Sequence, residues 1–314
     1  MTQPWDQDLK TLLDKLAHAP RIDWKAGVED VRAQFWKAAQ SIESDAPALH
    51  EIRDLKIQGG AGPLNARLYT PFAAGVGEGA GLVYFHGGGF VVGGLDSHEM
   101  LCRRLAAAAR IRILSVAYRL SPEHRFPCAV EDALAATHWA FAHHGEIAFD
   151  PARIAIGGDS AGGALAAVTA QTMKRHASPE ERLKAQLLLY PLTQMVRMTP
   201  SQMRMRQTHV LTQAALDFVK ERYLSNPDDA FDVRCSPLLE NDLAHLPPAY
   251  IVTAGFDPLY DEGKAYADKL AACGVPVTHR HYPSQVHGFF SMTAISAAAR
   301  QAIIDAAAWL SDHV

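Results

Sequence analysis

The stretch that decides the fold is "RIAIGGDSAGGALAAVTAQ", residues 153–171. It starts as an apolar run of strand length, passes through a glycine-rich turn and continues as an alanine-rich segment typical of a helix. Residues 158–162, "GDSAG", fit the G-x-S-x-G pattern of a sharp strand-to-helix turn that exposes a serine hydroxyl. Glycine suits the first and last positions of this pattern, Gly158 and Gly162, because a side chain there would collide with neighbouring backbone. The pattern makes Ser160 a candidate nucleophile; the alternative is a glycine-rich turn with an incidental serine.

Other apolar runs predict a parallel sheet around this turn. They lie at residues 81–85, 111–118, 185–190 and 249–255. Helical patterns separate the strands, at residues 97–110, 127–144, 161–176 and 261–273. Runs without polar alternation are typical of strands covered on both faces, and alternation of strands and helices is typical of a doubly wound α/β fold. More polar runs at 51–57 and 64–70 predict an edge hairpin, and 275–282 predicts a last strand, which gives about eight strands.

Two segments interrupt this alternation and predict a helical cap. Residues 1–45 carry amphipathic helical patterns, and residues 192–226 hold four methionines followed by a helical run. Methionine adapts to varied apolar shapes, so we expect the insert to contribute to a substrate pocket; the alternative is an extra pair of surface helices. The predicted organisation comprises cap helices at 1–45, a catalytic domain in two parts at 46–191 and 227–314, and a cap insert at 192–226.

A second glycine-rich loop, "HGGGF" at residues 86–90, also follows a predicted strand. Backbone N–H groups of such a loop can approach a developing oxyanion closely. We expect Gly88 and Gly89 to be the donors, together with the N–H of Ala161 at the start of the helix after the serine. The alternative of a phosphate-binding loop lacks the G-x-x-x-x-G-K-[ST] pattern. We interpret His86 as a structural residue that shapes the loop rather than as a base.

The orienting acid and the base are expected after the serine in chain order. Asp257 lies just after the strand at 249–255, and His287 follows the last predicted strand and precedes a glycine. Both positions are at the carboxyl ends of strands, where α/β sheets place their sites. Asp261 and Glu262 are rival acids, which we interpret as residues of a helix N-terminus. His279 and His281 fall within the last strand and are expected at the edge or surface.

Taken together, these motifs resemble those of the bacterial hormone-sensitive lipase group of α/β-hydrolases, the family IV carboxylesterases. The matching segments are "HGGGF" (86–90), "YRLSPEHRFP" (118–127), "GDSAGG" (158–163), "DPLYDEG" (257–263) and "HGF" (287–289). The resemblance covers roughly residues 50–314 and implies an α/β-hydrolase fold, a mostly parallel eight-stranded sheet flanked by helices, with a helical cap. It also implies a serine carboxylesterase. The implied roles are nucleophile Ser160, acid Asp257, base His287 and oxyanion donors Gly88, Gly89 and Ala161.

Composition bounds the partners and the location. The formal net charge is −4 without a run of like charges, which indicates no nucleic-acid partner. No apolar stretch reaches the roughly 18 residues of a membrane span, so we expect no stable membrane association. Four scattered cysteines and the absence of a visible signal peptide predict a cytoplasmic protein. No ligand cluster for a metal or an organic cofactor is visible, and the chemistry of the resemblance requires neither.

The natural substrate is not written in the sequence. A cap over the serine predicts a bounded pocket for a small-molecule ester. Each buried CH₂ adds up to about 0.8 kcal/mol of binding free energy until the pocket ends. We therefore expect short- to medium-chain acyl groups of about two to eight carbons. An amidase, lactonase, deacetylase or thioesterase could use the same triad, and a non-catalytic receptor is a rival from another class. The unpaired last strand predicts a homodimer through that edge.

Overall fold

The computed structural model describes residues 4–75, 77–176, 178, 180–206 and 210–314. Residues 1–3 of the predicted N-terminal cap and 207–209 of the predicted insert lie outside the described part, as do 76, 177 and 179. Within that part the strands are β1 Glu51–Gly59, β2 Gly62–Thr70, β3 Gly79–Phe85, β4 Arg112–Ala117, β5 Phe149–Asp159, β6 Gln186–Leu189, β7 Ala249–Phe256 and β8 Val277–Val286. The helices are α1 Pro4–Leu16, α2 Val28–Ile42, α3 Glu99–Ala109, α4 Cys128–Ala142, α5 Ala161–His176, α6 Pro200–Arg204, α7 Gln213–Tyr223, α8 Tyr260–Ala272 and α9 Ala297–His313.

The strands of the described chain form one eight-stranded sheet in the order β1-β2-β4-β3-β5-β6-β7-β8. β1 pairs antiparallel with β2, and β2 antiparallel with β4, whereas the pairs from β4 through β3 to β8 are parallel. The predicted edge hairpin and the predicted mostly parallel sheet are therefore confirmed. Parallel strands place their carboxyl ends at one edge of the sheet, and the candidate loops follow those ends.

Alternate side chains of the central strands enter two separate apolar cores. In β3, Val83 and Phe85 pack in the core that includes α4, α5 and α8, whereas Leu82 and Tyr84 pack in the core that includes α3 and α9. All four side chains are fully buried. This double coverage is the physical reason for the continuous apolar runs in the sequence.

Helices from the two interrupting segments pack against each other at the carboxyl edge. Val31 of α2 and Phe218 of α7 form a small apolar cluster with Val91 and Val92, which follow the glycine-rich loop. Trp24 adds an edge-to-face contact to Phe218, with ring centroids 5.3 Å apart. The packing brings α2 and α7 directly over the loop at residues 86–92.

The helix α1 packs elsewhere. Its residues Leu9 and Leu12 are buried in the core that also holds Val286, at the end of β8. In the part of the chain that the structure describes, no helix has both the length and the apolar character needed to cross a membrane.

Candidate active site

Ser160 occupies a sharp turn between β5 and α5. Its φ is +54°, a left-handed conformation that is rare and strained for a residue with a side chain. The turn has no space for larger neighbours: a Cβ at Gly158 would lie 2.4 Å from the carbonyl oxygen of Phe85, and one at Gly162 only 1.9 Å from the same atom. The N–H of Ser160 donates to the carbonyl oxygen of Leu189 at 2.8 Å, which fixes the turn on β6. The hydroxyl is thereby presented above the sheet.

The structure brings Ser160, His287 and Asp257 into one hydrogen-bonded chain. His287 Nε2 lies 2.9 Å from Ser160 Oγ, and His287 Nδ1 lies 2.8 Å from Asp257 Oδ2. A carboxylate accepts, so Nδ1 carries the proton and Nε2 is left to accept the serine proton. Asp257 is fully buried, and its other oxygen accepts the N–H of Leu259 at 2.8 Å. The acid therefore has both oxygens engaged and holds the imidazole in one tautomer.

An aromatic residue that sequence reasoning missed supports the histidine ring. Tyr190 follows β6 and packs edge-on against His287, with centroids 5.0 Å apart. It also contacts Phe289 and Phe290, which continue the histidine loop. A buried tyrosine after a strand has no distinctive sequence signal, because it looks like any other core residue.

The glycine-rich loop lies beside the serine. Gly88 and Gly89 line the same cavity as Ser160 and have φ values of +120° and +61°. A Cβ at Gly88 would lie 2.1 Å from the carbonyl oxygen of Val92, so glycine is required there by space as well as by conformation. Ala161 is the first residue of α5, at the helix end where backbone N–H groups have no intrahelical partner.

His86 has the structural position that the sequence predicts. Its ring is buried and stacks on Tyr118 at a centroid distance of 4.3 Å. Its Nδ1 donates to the carbonyl oxygen of Gly87 at 2.8 Å. Burial, and then the charge of His98 nearby, lower the pKa of His86 to about 3, so the ring is neutral and shapes the loop.

The cavity above Ser160 is mainly apolar. It encloses about 1070 Å³, including open solvent at its mouth. Its apolar walls are Ile22, Trp24, Phe35, Ala38, Ala39 and Ile42 from the N-terminal segment, Leu192, Val210, Leu211, Ala215, Leu216 and Val219 from the insert, and Val92, Leu259 and Met292. Both interrupting segments therefore contribute walls to the cavity that holds the serine.

The methionines that suggested a pocket role for the insert do not themselves line the cavity. The insert residues that line the cavity are aliphatic, and its methionines are not among the described lining residues. Met198 and Met203 are 38% and 57% exposed, and Met195 is buried against Cys235. The sequence pattern misled because a methionine-rich segment does not reveal which of its faces turns inward.

The rival acids bind the insert instead of the histidine. Asp261 Oδ2 accepts the N–H of Ser201 at 2.6 Å. The buried Glu262 carboxylate accepts the N–H of Thr193 at 2.8 Å and a side-chain N–H of Gln202 at 3.2 Å. Both acids lie in the first turn of α8, as predicted, and they tie the insert to the helix that follows Asp257.

The histidines of the last strand are also remote from the serine. His279 and His281 both contact the hydroxyl of Thr253, at 2.9 and 3.1 Å. Among the described residues, no group of three or more histidine, cysteine or acidic side chains has the arrangement to hold a metal ion.

Comparisons with known proteins identify the family of the chain. Residues 82–291 match a protein family whose description is alpha/beta hydrolase fold. The chain is 44% identical over 251 residues to the carboxylic ester hydrolase LipN of Mycobacterium tuberculosis. The matched residues make up 78% of this chain and 66% of LipN, which is just under two thirds of the relative. It is 35% identical to the ethyl acetate hydrolase of Pseudomonas putida, over 91% of this chain and 90% of the relative.

A solved structure is similar over the full length. An ester hydrolase from the metagenome of Lake Arreo, crystallised with a derivative of bipyridine phosphonate, superposes with a TM-score of 0.92 at 37% identity. The superposition covers 100% of this chain and 99% of the other.

Proposed function

The chain belongs to the family of the alpha/beta hydrolase fold, and from this premise we propose how its residues cleave esters. It is a carboxylic ester hydrolase of the hormone-sensitive lipase type. We assign Ser160 as nucleophile, His287 as general base and Asp257 as the acid that orients it. The observation that carries the assignment is the unbroken chain of two hydrogen bonds, 2.9 and 2.8 Å long, from the serine hydroxyl to the buried carboxylate.

The reaction proceeds through an acyl-enzyme. Ser160 Oγ attacks the ester carbonyl carbon while its proton passes to His287 Nε2. The resulting oxyanion is stabilised by the N–H groups of Gly88, Gly89 and Ala161. His287 then donates the proton to the leaving alkoxide oxygen, and the bond between the carbonyl carbon and that oxygen breaks. Water attacks the acyl-enzyme with His287 again as base, which releases the carboxylic acid and restores Ser160. No step requires a metal or an organic cofactor.

We propose that residues 1–45 and 192–226 form the cap that limits the substrate, as separate units from the catalytic parts at 46–191 and 227–314. The contribution of both segments to the cavity walls supports this division. A roof of aliphatic and aromatic side chains suits short- to medium-chain acyl groups in dissolved esters. The Pseudomonas putida relative is an ethyl acetate hydrolase, which is in keeping with a small acyl group.

Hydrolysis of amides, lactones, thioesters and acetylated compounds follows the same steps as hydrolysis of simple esters and differs mainly in the leaving group. The hydrogen bond that the Ser160 hydroxyl donates to His287 favours an enzyme over a non-catalytic receptor, because a receptor needs no activated serine. Among the enzymes, simple esters are favoured because the cavity walls are mainly apolar, with few groups to bind a polar leaving group.

We propose a homodimer through β8. This strand ends the sheet order, and Arg280, His281 and Pro283 on it are exposed. An edge strand offers unpaired backbone groups to a second copy.

We also propose a cytoplasmic location. The four cysteines, Cys102, Cys128, Cys235 and Cys273, are free thiols, which suits a reducing compartment. Fractionation of the native host that finds the protein outside the cytoplasm would contradict this proposal.

The experiment that tests the function is hydrolysis of p-nitrophenyl butyrate by the wild type and by Ser160→Ala. We expect turnover by the wild type and a loss on the order of 10⁴-fold in the variant, because the nucleophile is gone. The exposed Ser41→Ala serves as the matched control and keeps full activity. A wild type without turnover, or a Ser160→Ala variant that keeps more than about a tenth of it, contradicts the proposal.

A further inference from the structure

Under the glycine-rich loop lies a buried polar chain that the triad does not use. It consists of Ser97, His98 and Asp159, and all three side chains are less than 7% exposed. All three residues line the cavity that holds Ser160. Asp159 directly precedes the serine, so whatever fixes Asp159 also acts on the turn.

The hydrogen bonds of Ser97 bear on whether His98 Nδ1 carries a proton. The Ser97 hydroxyl accepts the N–H of Gly94 at 3.0 Å and donates its only hydrogen to the carbonyl oxygen of Gly94 at 3.1 Å. His98 Nδ1 lies 2.9 Å from the same hydroxyl oxygen. With its hydrogen directed to Gly94, the hydroxyl can only accept from His98 Nδ1, and a hydrogen bond of the ring with the backbone of Gly94 also raises the pKa of His98.

On the opposite side of the ring, His98 Nε2 faces Asp159. Asp159 Oδ1 accepts the hydroxyl of Tyr84 at 2.8 Å and the N–H of Gly87 at 2.9 Å. Asp159 Oδ2 faces His98 Nε2 at 3.4 Å. The N–H of Gly87 lies 3.3 Å from that nitrogen and 2.9 Å from Asp159 Oδ1, so the carboxylate is its nearer acceptor. A proton on Nε2 would face the carboxylate, and this arrangement favours an imidazolium ring.

The surrounding charges agree with this assignment. Burial by itself lowers the pKa of His98, but the Asp159 carboxylate outweighs it and the pKa is raised above its ordinary value. Burial likewise favours a raised pKa of Asp159, yet the charge of His98 and its hydrogen bonds lower it. Glu43, at the end of α2, adds a second carboxyl near His98, whereas His86 beside it is neutral.

We propose that His98 is an imidazolium at neutral pH and that the His98–Asp159 ion pair is a positioning element for the oxyanion loop, acting through the hydrogen bond that the N–H of Gly87 donates to Asp159. The pair connects the residue before Ser160 with the residue before Gly88, so one buried contact sets the distance between the nucleophile and the oxyanion donors. This inference rests on the proposed function only for its kinetic consequence.

The charge state is tested by NMR of the wild-type protein labelled with ¹⁵N in histidine, its His98 signals assigned by their loss in His98→Gln. At about pH 7 we expect both ring nitrogens to show protonated shifts, with no titration between about pH 6 and pH 8. A neutral tautomer in this range overturns the proposal. The readout does not need enzymatic activity, so it stands even if the wild type proves not to cleave esters.

The positioning role is tested by the kinetics of His98→Gln, Asp159→Asn and the double variant on p-nitrophenyl butyrate. Each single variant should lower kcat on the order of 10- to 100-fold with KM changed by less than about twofold, because the oxyanion is bound only in the transition state. The kcat of the double variant should be no lower than that of the less active single variant, since the two residues act as one unit. Ser97→Ala, which keeps the ion pair, should lose less than His98→Gln, and the exposed His50→Gln should lose nothing. A loss confined to KM, or additive losses in the double variant, overturns the role.

Discussion

The guanidinium of Arg32 on α2 donates to the carbonyl oxygen of Val91 from Nε at 2.9 Å, and so connects the N-terminal segment to the chain that follows the glycine-rich loop. The same side chain donates to the carbonyl oxygen of Ser121 at 3.1 Å and forms a bidentate pair with Glu123, both bonds 2.8 Å long. A further bond reaches Glu29 on its own helix. One cation therefore joins the cap, the loop after Gly88 and Gly89, and the chain at 121–123.

Replacing Arg32 should affect catalysis more than stability. Arg32→Gln removes the donors to both carbonyl oxygens, and we expect a loss of about 1 kcal/mol in unfolding free energy, because the side chain is partly exposed. We expect kcat/KM to fall about three- to tenfold, since the cap and the oxyanion loop lose their common anchor. Lys37→Gln removes an exposed cation from the same helix and is the matched control. Equal losses in the two variants, measured by steady-state kinetics and urea unfolding, would show that Arg32 is only a surface charge.

The sheet could be predicted almost completely, because its signals are local. Central strands are covered on both faces and so read as continuous apolar runs, and the G-x-S-x-G turn fixes the position of β5 relative to α5. The last strand was predicted to end at residue 282 but continues to Val286. Its register shifts opposite Gly255, where a Cβ would lie 2.1 Å from the carbonyl oxygen of Pro283. The β-bulge accommodates Pro283, a residue type that in a sequence usually indicates the end of a strand.

The three residues of the hydrogen-bonded chain could be found for a similar reason. Each follows a strand at the carboxyl edge, so topology alone brings them close. Arg32, His98 and Glu43 could not be found in this way, because their partners are distant in sequence and charged residues of these types are usually solvated. Even the helical segments that supply the cavity walls gave no information about which side chains turn inward.

The glycines of the oxyanion loop provide a sharp steric test. Gly88→Ala introduces a Cβ that meets the Val92 carbonyl oxygen at a φ of +120°, so the loop has to move. We expect kcat for p-nitrophenyl butyrate to fall on the order of 10²-fold or more, in line with the loss of an oxyanion donor. Gly94→Ala, six residues later, meets open space and should retain at least half of the wild-type activity. If the two alanine variants have similar kcat values, the loop at Gly88 does not bind the oxyanion.

Glu43 should make folding stability depend on pH. Burial raises the pKa of Glu43 from 4.5 to about 7, although His98 and Ser291 oppose the shift. Oε1 of the carboxyl is buried without a hydrogen-bond partner and can carry the proton. Between about pH 4.5 and pH 7 the unfolded chain has lost this proton and the folded chain retains it, so the stability of the wild type falls as pH rises, by at most about 1.4 kcal/mol per pH unit.

The variant Glu43→Gln cannot titrate and should lack this component. Urea unfolding from about pH 5 to pH 8 should therefore show the variant gaining stability relative to the wild type as pH rises to about 7, and a constant difference above it. Glu51→Gln, at an exposed position on β1, should run parallel to the wild type. Parallel curves for Glu43→Gln as well would mean that Glu43 is ionised throughout.

The proposed dimer can be tested at the exposed edge. Light scattering at micromolar concentration should give twice the chain mass for the wild type, and Arg280→Pro should shift the mass toward the monomer, because proline removes a backbone donor from the edge strand. Arg53→Pro, on the opposite edge strand β1, should leave the dimer intact if the variant folds. A monomeric wild type contradicts the proposal directly.

We expect the wall between the cavity above Ser160 and its neighbour to determine the acyl length. Leu192, Leu216 and Val219 line both the cavity above Ser160 and an adjacent cavity on the insert, so a single layer of side chains separates the two. In a series of p-nitrophenyl esters we expect kcat/KM to rise up to about fourfold for each added carbon, as each CH₂ is buried, and to fall beyond about eight carbons. Emulsified long-chain triglyceride should be cleaved poorly, without a rise in rate when the oil interface forms. Leu216→Ala opens the wall and should move the optimum to longer chains by about two carbons, whereas Leu13→Ala on α1, outside the described lining of the cavity, should leave the optimum unchanged. A wild-type optimum at the longest chains, or activation by the emulsion, would mean that the cap opens widely and does not limit the substrate.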